Sequence, residues 1–447
     1  MTSLSAPEAA GILGVSVSTL YAYVSRGLLR SLPDGASKRR RYDADEVRLL
    51  ARRRADAKRA GGVAERSLDW GVPVLESRIT QIADGRLHYR GADAIALAND
   101  ATLEETAARL WDCPPARLAA AALASTGFDA AQWEDWARRW AHLAPLERTL
   151  VLLPAAAASL PRLWAQGRDA QFDAATLLLR VTTAALAGIA PGDAPVHRQL
   201  AAAWRIRRRD EADLLRRALV LCADHELNPS TFAVRCIAST GTHLFGAIAG
   251  GLAALSGPRH GGETFRAGAL LDEAARAADL DRYLALRVAH DERAGGARTA
   301  LSGFAHPLYP DGDPRARALL DALHATLPAR APLRMARALA ARVEAATGLR
   351  PSIDFALAVL ERTLALPDGA AFTLFAAGRT AGWIAHALEQ YASASSSGPA
   401  RATSAATRRP GARPPRHAAS RRHALGAACT AGAACGPNAN TAPPAPR

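Results

Sequence analysis

Apolar residues recur at the i, i+3, i+4 spacing of a helix face over 214–222, 232–255, 265–278, 335–346, 355–364 and 372–388. Stops are expected at Ser256-Gly257-Pro258 and across 348–351, where Gly and Pro interrupt the pattern. One stretch alternates instead. ESRITQIADGRLHYRG reads apolar-polar on both sides of Asp84-Gly85, which predicts a short β-hairpin. At the other end of the chain, Ser5-Ala6-Pro7-Glu8 has the form of a capping box, predicting a short helix that stops at Gly14. A second helix is expected to start near Ser16 or Ser18 and run to Gly27. Two short helices around Leu-Gly-Val have helix-turn-helix spacing. A glycine-containing loop with Lys38, Arg39, Arg40 and Arg41 follows, then a helix from Asp43 through Arg54.

Composition supports an all-α reading: 49 % of the 447 residues are hydrophobic, few are aromatic, and Ala and Leu dominate. Every long apolar run is interrupted before the roughly 18 residues of a membrane span. The N-terminus lacks the pattern of a secretory signal, so a cytoplasmic protein is expected. Five widely spaced cysteines form no CxxC pair, which argues against a disulfide framework or a zinc site. No metal-ligand cluster stands out.

Charge divides the chain. Of the net +14, residues 1–66 carry +6, residues 391–447 carry +8, and the middle is neutral. Three domains are therefore expected: a helix-turn-helix module over 1–60, a body over 67–391 and a basic tail over 392–447. The tail is rich in Ser, Ala, Pro, Gly and Arg without apolar periodicity, and it is expected to be disordered.

Three histidines of the body sit in turns that are stiff and polar: His225 in ADHELNPSTF, His260 in SGPRHGGETF and His306 in GFAHPLYPDGDPR. Asp354 opens an apolar helix, and Arg379 lies on a helix of small and apolar residues, where a guanidinium needs an anion. With Arg315 they supply one carboxylate base, three imidazoles and two cations. That set suits a substrate with two carboxylates and a carbonyl, and spacing alone goes no further.

Taken in order, ADHELNPSTF, LSGPRHGGETF, GFAHPLYPDGDPRA, PSIDFAL and FTLFAAGRTAGWIAHALEQ resemble the signature blocks of the citrate synthase family. The resemblance covers roughly 72–391. It implies a two-domain helical fold, a homodimer, and condensation of acetyl-CoA with oxaloacetate to citrate and CoA, without a cofactor. By the same resemblance, Asp354 is the base, His260 holds the thioester oxygen and His306 polarises the oxaloacetate carbonyl. His225, Arg315 and Arg379 hold carboxylates, supported by Asn228 and Ser230. Two departures stand out: Glu263-Thr264 where the family commonly has Ala-Asn, and Ala305 where a glycine is usual.

The basic module resembles the winged helix-turn-helix of the MerR and excisionase type. That implies a DNA partner met by Ser16, Ser18, Thr19 and Tyr21, with Lys38, Arg39, Arg40 and Arg41 on phosphates. Two other readings of the body stay open: a regulator that senses a carboxylate or an acyl-CoA, and a 2-methylcitrate synthase. The family's usual arginine-bearing C-terminal segment is not found after Tyr391. Residues 394–404 admit codons whose third-base frame reads Glu-Leu-Ile-Arg-Pro-Arg-Ala-Arg-Tyr-Val. The tail is thus expected to be an out-of-frame copy of that segment, the alternative being a natural extension.

Overall fold

The structure, a computed structural model, describes residues 3–51 except 16, 26–28, 30, 34–39, 45–46 and 49–50, and residues 77–393 except 124–125, 161–166, 258–259 and 294–300. Ser16, Lys38, Arg39 and the tail after Ser393 lie outside the described residues, as do the side chains of Ser18 and Tyr21. So does most of the helix expected from Asp43.

In the N-terminal module, strand β1 (Ser3–Ser5) leads into α1 (Ala6–Leu13) and α2 (Val17–Ser25), followed by β2 (Ser31–Pro33) and β3 (Arg40–Asp43). Glu8 reaches back to accept from the Ser5 N–H at 2.8 Å and its hydroxyl at 2.7 Å. Gly14 closes α1 in the left-handed conformation at φ 63°. Strand β3 is the middle of a three-stranded antiparallel sheet, paired with β1 and β2. Arg40 and Arg41 therefore stand on a strand, not on the loop the sequence suggested, and Asp43 ends that strand. Ala9, Leu13, Leu20, Leu29, Tyr42 and Val47 form the module's core.

The body opens with the expected hairpin, β4 (Thr80–Ala83) and β5 (Arg86–Tyr89), with a short third strand β6 (Ala92–Asp93). Asp84 at φ 51° and Gly85 at φ 71° make the two-residue turn whose left-handed conformation suits a hairpin. Helices follow almost without interruption. Among the described residues, no helix is long and apolar enough to cross a membrane.

One expected helix is two. The apolar pattern over 232–255 runs through a break at Gly241 (φ 81°), and Pro229–Ala238 and Leu244–Leu255 pack side by side. His243 caps the second, its Nδ1 accepting from the Gly246 N–H at 3.1 Å. A Cβ on Gly250 would come 2.0 Å from Ile237 Cδ1, so a larger residue there would displace that side chain.

The helix Ala370–Ala392 is the axis of the body: 18 of its 23 residues are buried, as expected of a helix that is apolar on all sides. It packs on Arg168–Ala187, Leu103–Trp111, Pro229–Ala238 and Arg209–Leu221. The hairpin docks beside it. Tyr89 donates to the Val220 carbonyl at 3.1 Å, Thr80 Oγ1 donates to Asp224 at 2.5 Å, and the Ile82 N–H donates to Glu226 at 2.8 Å. Those bonds fix the segment that carries His225.

Candidate active site

His225, His306 and Tyr309 meet ring to ring. The centroids of His225 and His306 are 4.9 Å apart, edge to face, and Tyr309 lies 5.6 Å from the first and 5.0 Å from the second. The Tyr309 hydroxyl is 3.0 Å from His225 Nε2. His225 sits in a turn held open by Glu226 at φ 50°, just before Asn228 caps the Pro229–Ala238 helix by accepting from the Thr231 N–H at 3.0 Å.

His306 is delivered by a strand-like segment. The Ala305 N–H donates to the Arg350 carbonyl at 2.8 Å, and the Ser352 N–H donates to the Gly303 carbonyl at 2.8 Å. Phe304 and Pro351 form the bridge between the two segments, which sets His306 beside the turn that leads into Asp354. The Leu308 N–H donates to His306 Nδ1 at 3.2 Å, so a neutral His306 carries its proton on Nε2. Burial, reinforced by the Arg315 charge, pushes its pKa down to about 4. Burial does the same to His260, also to about 4, and holds His225 well below its ordinary value. Near pH 7 all three are neutral imidazoles.

Arg315 is 2 % exposed and paired with Asp313: Nε to Oδ1 at 3.0 Å and Nη2 to Oδ2 at 2.8 Å. Asp313 also accepts from the Ile353 N–H at 3.0 Å, which joins this pair to the Asp354 helix. Burial opposes the charge of Asp313, but Arg315 outweighs it and keeps the carboxyl below its usual range. Arg379, 1 % exposed, lies 5.2 Å above the Phe375 ring and donates through Nε to the Cys222 carbonyl at 3.0 Å. Among the described residues it makes no salt bridge, and burial lowers its pKa. One guanidinium is thus bonded directly to a carboxylate, while the other is met only at longer range by the charge of Asp224.

His260 Nε2 stands 2.8 Å from Ser230 Oγ, which donates to Asn228 Oδ1 at 2.8 Å and accepts from Trp383 Nε1 at 3.2 Å. A hydroxyl has one proton. While Asn228 takes it, His260 must donate from Nε2. Turning it toward His260 instead gives the tautomer with a proton on Nδ1.

Asp354 occupies the first turn of Ile353–Thr363 and remains half-buried, with no side-chain partner for its carboxylate among the described residues. Burial, followed by the charge of Glu263, pushes its pKa up to about 7 against the pull of Arg315. A carboxylate so placed is a base that titrates near neutrality.

Of the eight body residues singled out from the sequence, ring contact joins His225 to His306, and hydrogen bonds join His260, Ser230 and Asn228. The Arg315 charge acts on Asp354 and His306, and the Arg379 charge acts on all three histidines. Sequence reasoning missed Tyr309, Phe375 and Trp383. Tyr309 lies three residues after His306, while Phe375 and Trp383 flank Arg379 at i−4 and i+4, so helical spacing could have found the last two. Of the residues singled out in the module, Thr19 lies on α2 and Arg40 and Arg41 on β3. Among the described residues, no three His, Cys, Asp or Glu side chains are grouped to hold a metal.

Comparison with known proteins identifies the family and the fold. The model of the citrate synthase C-terminal domain matches residues 67–401, and that of a helix-turn-helix domain matches residues 3–55. A putative citrate synthase 2 of Mycobacterium bovis is 36 % identical over 176 residues, 38 % of this chain and 45 % of the relative. A citrate/2-methylcitrate synthase of Bacillus subtilis is 34 % identical over 186 residues, 41 % of this chain and 48 % of the relative. By these alignments, the chain spans about half the length of the curated relatives it matches. The crystal structure of citrate synthase from Thermotoga maritima superposes with a TM-score of 0.58 at 26 % identity, covering 72 % of this chain and 90 % of that one. A citrate synthase of Thermoplasma acidophilum, at 22 % identity and a TM-score of 0.60, shares the fold over 73 % of this chain and 91 % of its own. The body, with a helix-turn-helix domain in front of it, belongs to the citrate synthase family.

Proposed function

We propose that this protein condenses acetyl-CoA with oxaloacetate and hydrolyses the resulting thioester, releasing citrate and CoA. Asp354 takes a proton from the acetyl methyl group. His260, in the tautomer with its proton on Nδ1 and with Ser230 turned to donate to Nε2, donates a hydrogen bond to the thioester oxygen as the enol forms. His306, with its proton on Nε2, donates to the 2-oxo carbonyl and makes that carbon electrophilic. The enol carbon attacks it, a carbon–carbon bond forms, and water then cleaves the thioester to release the CoA thiol. Arg379, Arg315 and His225 hold the two carboxylates, while Ser230 and Asn228 set the tautomer of His260.

The observation that carries this reading is the pairing of charges. A half-buried carboxylate with no side-chain partner among the described residues, its pKa about 7, feels the charge of Arg315, and the Arg315 and Arg379 charges both act on the neutral His306 and His225. A thioester methyl group is very weakly acidic, so its proton leaves only where the developing oxyanion meets a ready donor in a water-poor cleft. Closure of two helical subdomains would supply that exclusion. The direct test is CoA release from acetyl-CoA and oxaloacetate by wild type and Asp354→Ala. A wild-type protein without turnover would overturn the assignment in favour of a carboxylate sensor.

A second reading, 2-methylcitrate synthesis from propionyl-CoA, is favoured by one relative whose name carries both activities. One methylene changes discrimination by only about 1–3 kcal/mol, so both acyl-CoAs belong in the assay. The proposal includes a homodimer, a cytoplasmic setting and a place in the tricarboxylic acid cycle. It also assigns residues 1–60 to DNA, 67–391 to catalysis and 392–447 to the tail. In the module, Ser16, Ser18, Thr19 and Tyr21 would face the duplex, and Lys38, Arg39, Arg40 and Arg41 its phosphates.

A further inference from the structure

Glu263 follows the His260-Gly261-Gly262 turn and opens the helix Glu263–Arg276. Its Oε1 accepts from the Gly303 N–H at 2.7 Å, forty residues away. Its Oε2 is held by Arg266, through Nε at 3.2 Å and Nη2 at 2.5 Å. Gly303 is bonded on its other side too, its carbonyl accepting from the Ser352 N–H at 2.8 Å. A side chain is not tolerated there: φ is 85°, and an added Cβ would lie 2.9 Å from Ala267 Cβ and 3.0 Å from Phe355 Cβ. Three residues beyond Gly303 comes His306, and two beyond Ser352 comes Asp354.

We propose that Glu263 is a positioning residue for the reaction inferred above, its carboxylate tying the His260 turn to the segment that leads into His306 and, through Gly303, to the turn that carries Asp354. The inference rests on that functional reading. One acidic side chain with two bonded oxygens then spans three separate pieces of chain, each bearing one reacting group. The same carboxylate contributes a negative charge beside Asp354. The other groups that Asp354 faces are Arg315 and Asp313 from the neighbouring helix and the Cys222 thiol. The Arg362–Asp272 pair, Nε to Oδ1 at 2.8 Å, sits at the far end of the same two helices. Charge and geometry therefore make separable predictions, because glutamine retains an acceptor oxygen and loses the charge.

The test compares full-length wild type, Glu263→Ala and Glu263→Gln in CoA release across pH and in amide hydrogen exchange over residues 301–308 and 350–356. Misplacing reacting groups lowers turnover steeply, so Glu263→Ala should lose about tenfold or more in kcat and exchange faster in both segments. Glu263→Gln should recover most of the rate at its optimum. Its acid limb should move to lower pH, since a negative neighbour no longer holds the proton on Asp354. An alanine variant with wild-type kcat and unchanged exchange overturns the proposal. Should the alanine variant fail to fold, Glu263→Ser, too short to reach the Gly303 N–H, takes its place, and wild-type kcat with unchanged exchange in that variant overturns the proposal instead. If wild type releases no CoA from either acyl-CoA, the functional reading fails separately, and exchange alone decides whether Glu263 holds the three segments together.

Discussion

Arg315 is answered by Asp313 two residues earlier, through parallel bonds of 3.0 Å and 2.8 Å inside the core. The guanidinium that the proposed function assigns to substrate already carries a counter-ion, and the pair caps the helix Pro314–Thr326 from within. Removing one partner of a buried pair leaves a bare charge, at a cost of about 3–5 kcal/mol. Asp313→Ala should lose that much stability in urea unfolding, and Asp313→Leu combined with Arg315→Met should lose clearly less. Equal losses in the two would mean the pair is not what stabilises this turn.

Asp354 gives a stability signature opposite to that of most carboxylates. Its pKa rises from 3.8 to about 7 on folding, so between those values the folded state holds a proton that the unfolded state has released. That contribution to stability is complete below pH 4 and is lost as pH rises through 7. Asp354→Asn should therefore be more stable than wild type at pH 8, by on the order of 1–4 kcal/mol, and equal to it near pH 4. Thermal midpoints at the two pH values measure this directly. In the proposed reaction the base must be ionised, so kcat/KM of wild type should climb with pH to a plateau above about 7.

Arg379 has no carboxylate partner among the described residues and should be the side chain most sensitive to the substrate anion. Arg379→Lys loses the planar fork and its place over Phe375. The KM for oxaloacetate should rise at least about tenfold, equivalent to ~1.4 kcal/mol of binding. A KM that does not move would remove Arg379 from the carboxylate clamp.

Ala305 adopts φ 66°, a left-handed conformation that costs an L-residue roughly 1–2 kcal/mol. Ala305→Gly should raise the thermal midpoint modestly, because relief of strain outweighs the added freedom of the unfolded chain. Its N–H bond to the Arg350 carbonyl would be retained. A lowered midpoint would show that the methyl group packs more than it strains.

Arg40 and Arg41, on the central strand of the small sheet, should each neutralise a phosphate in the proposed DNA complex. Replacing both with alanine should weaken binding to all duplex sequences alike and reduce the salt slope by about 1 for each arginine removed. Fluorescence anisotropy at several salt concentrations distinguishes this from a change in sequence preference.

Local signals in the sequence were reliable wherever one residue type settles the backbone. Asp84-Gly85 announces its hairpin, and Gly14 its helix end. The break at Gly241 was passed over because the apolar spacing continues on both sides, although a glycine followed by the capping His243 marks it. The segment 303–305 reads as loop because its partner, 350–352, lies more than forty residues away, and pairing at that distance leaves no local pattern. The polar side chains of the candidate site were legible as unusual residues among apolar neighbours. Their partners were harder to see: Tyr309 and Trp383 read as ordinary core aromatics until their polar atoms are found against His225 and Ser230.

Arg379, Trp383 and His386 stand four and three residues apart on the axial helix, and each addresses a different neighbour: Cys222, Ser230 and Asp224. On that helix Gly378 and Gly382 leave no room for a methyl group. An added Cβ would come 2.6 Å from the Leu219 carbonyl at the first and 2.4 Å from the Ala223 carbonyl at the second. The helix thus behaves as a graduated rule clamped at two notches. A slip of one residue would carry all three groups about 1.5 Å along the axis together. The seat of Arg379, the tautomer of His260 and the seat of His225 share a single mechanical setting, and no one of them can be retuned along this helix without moving the other two.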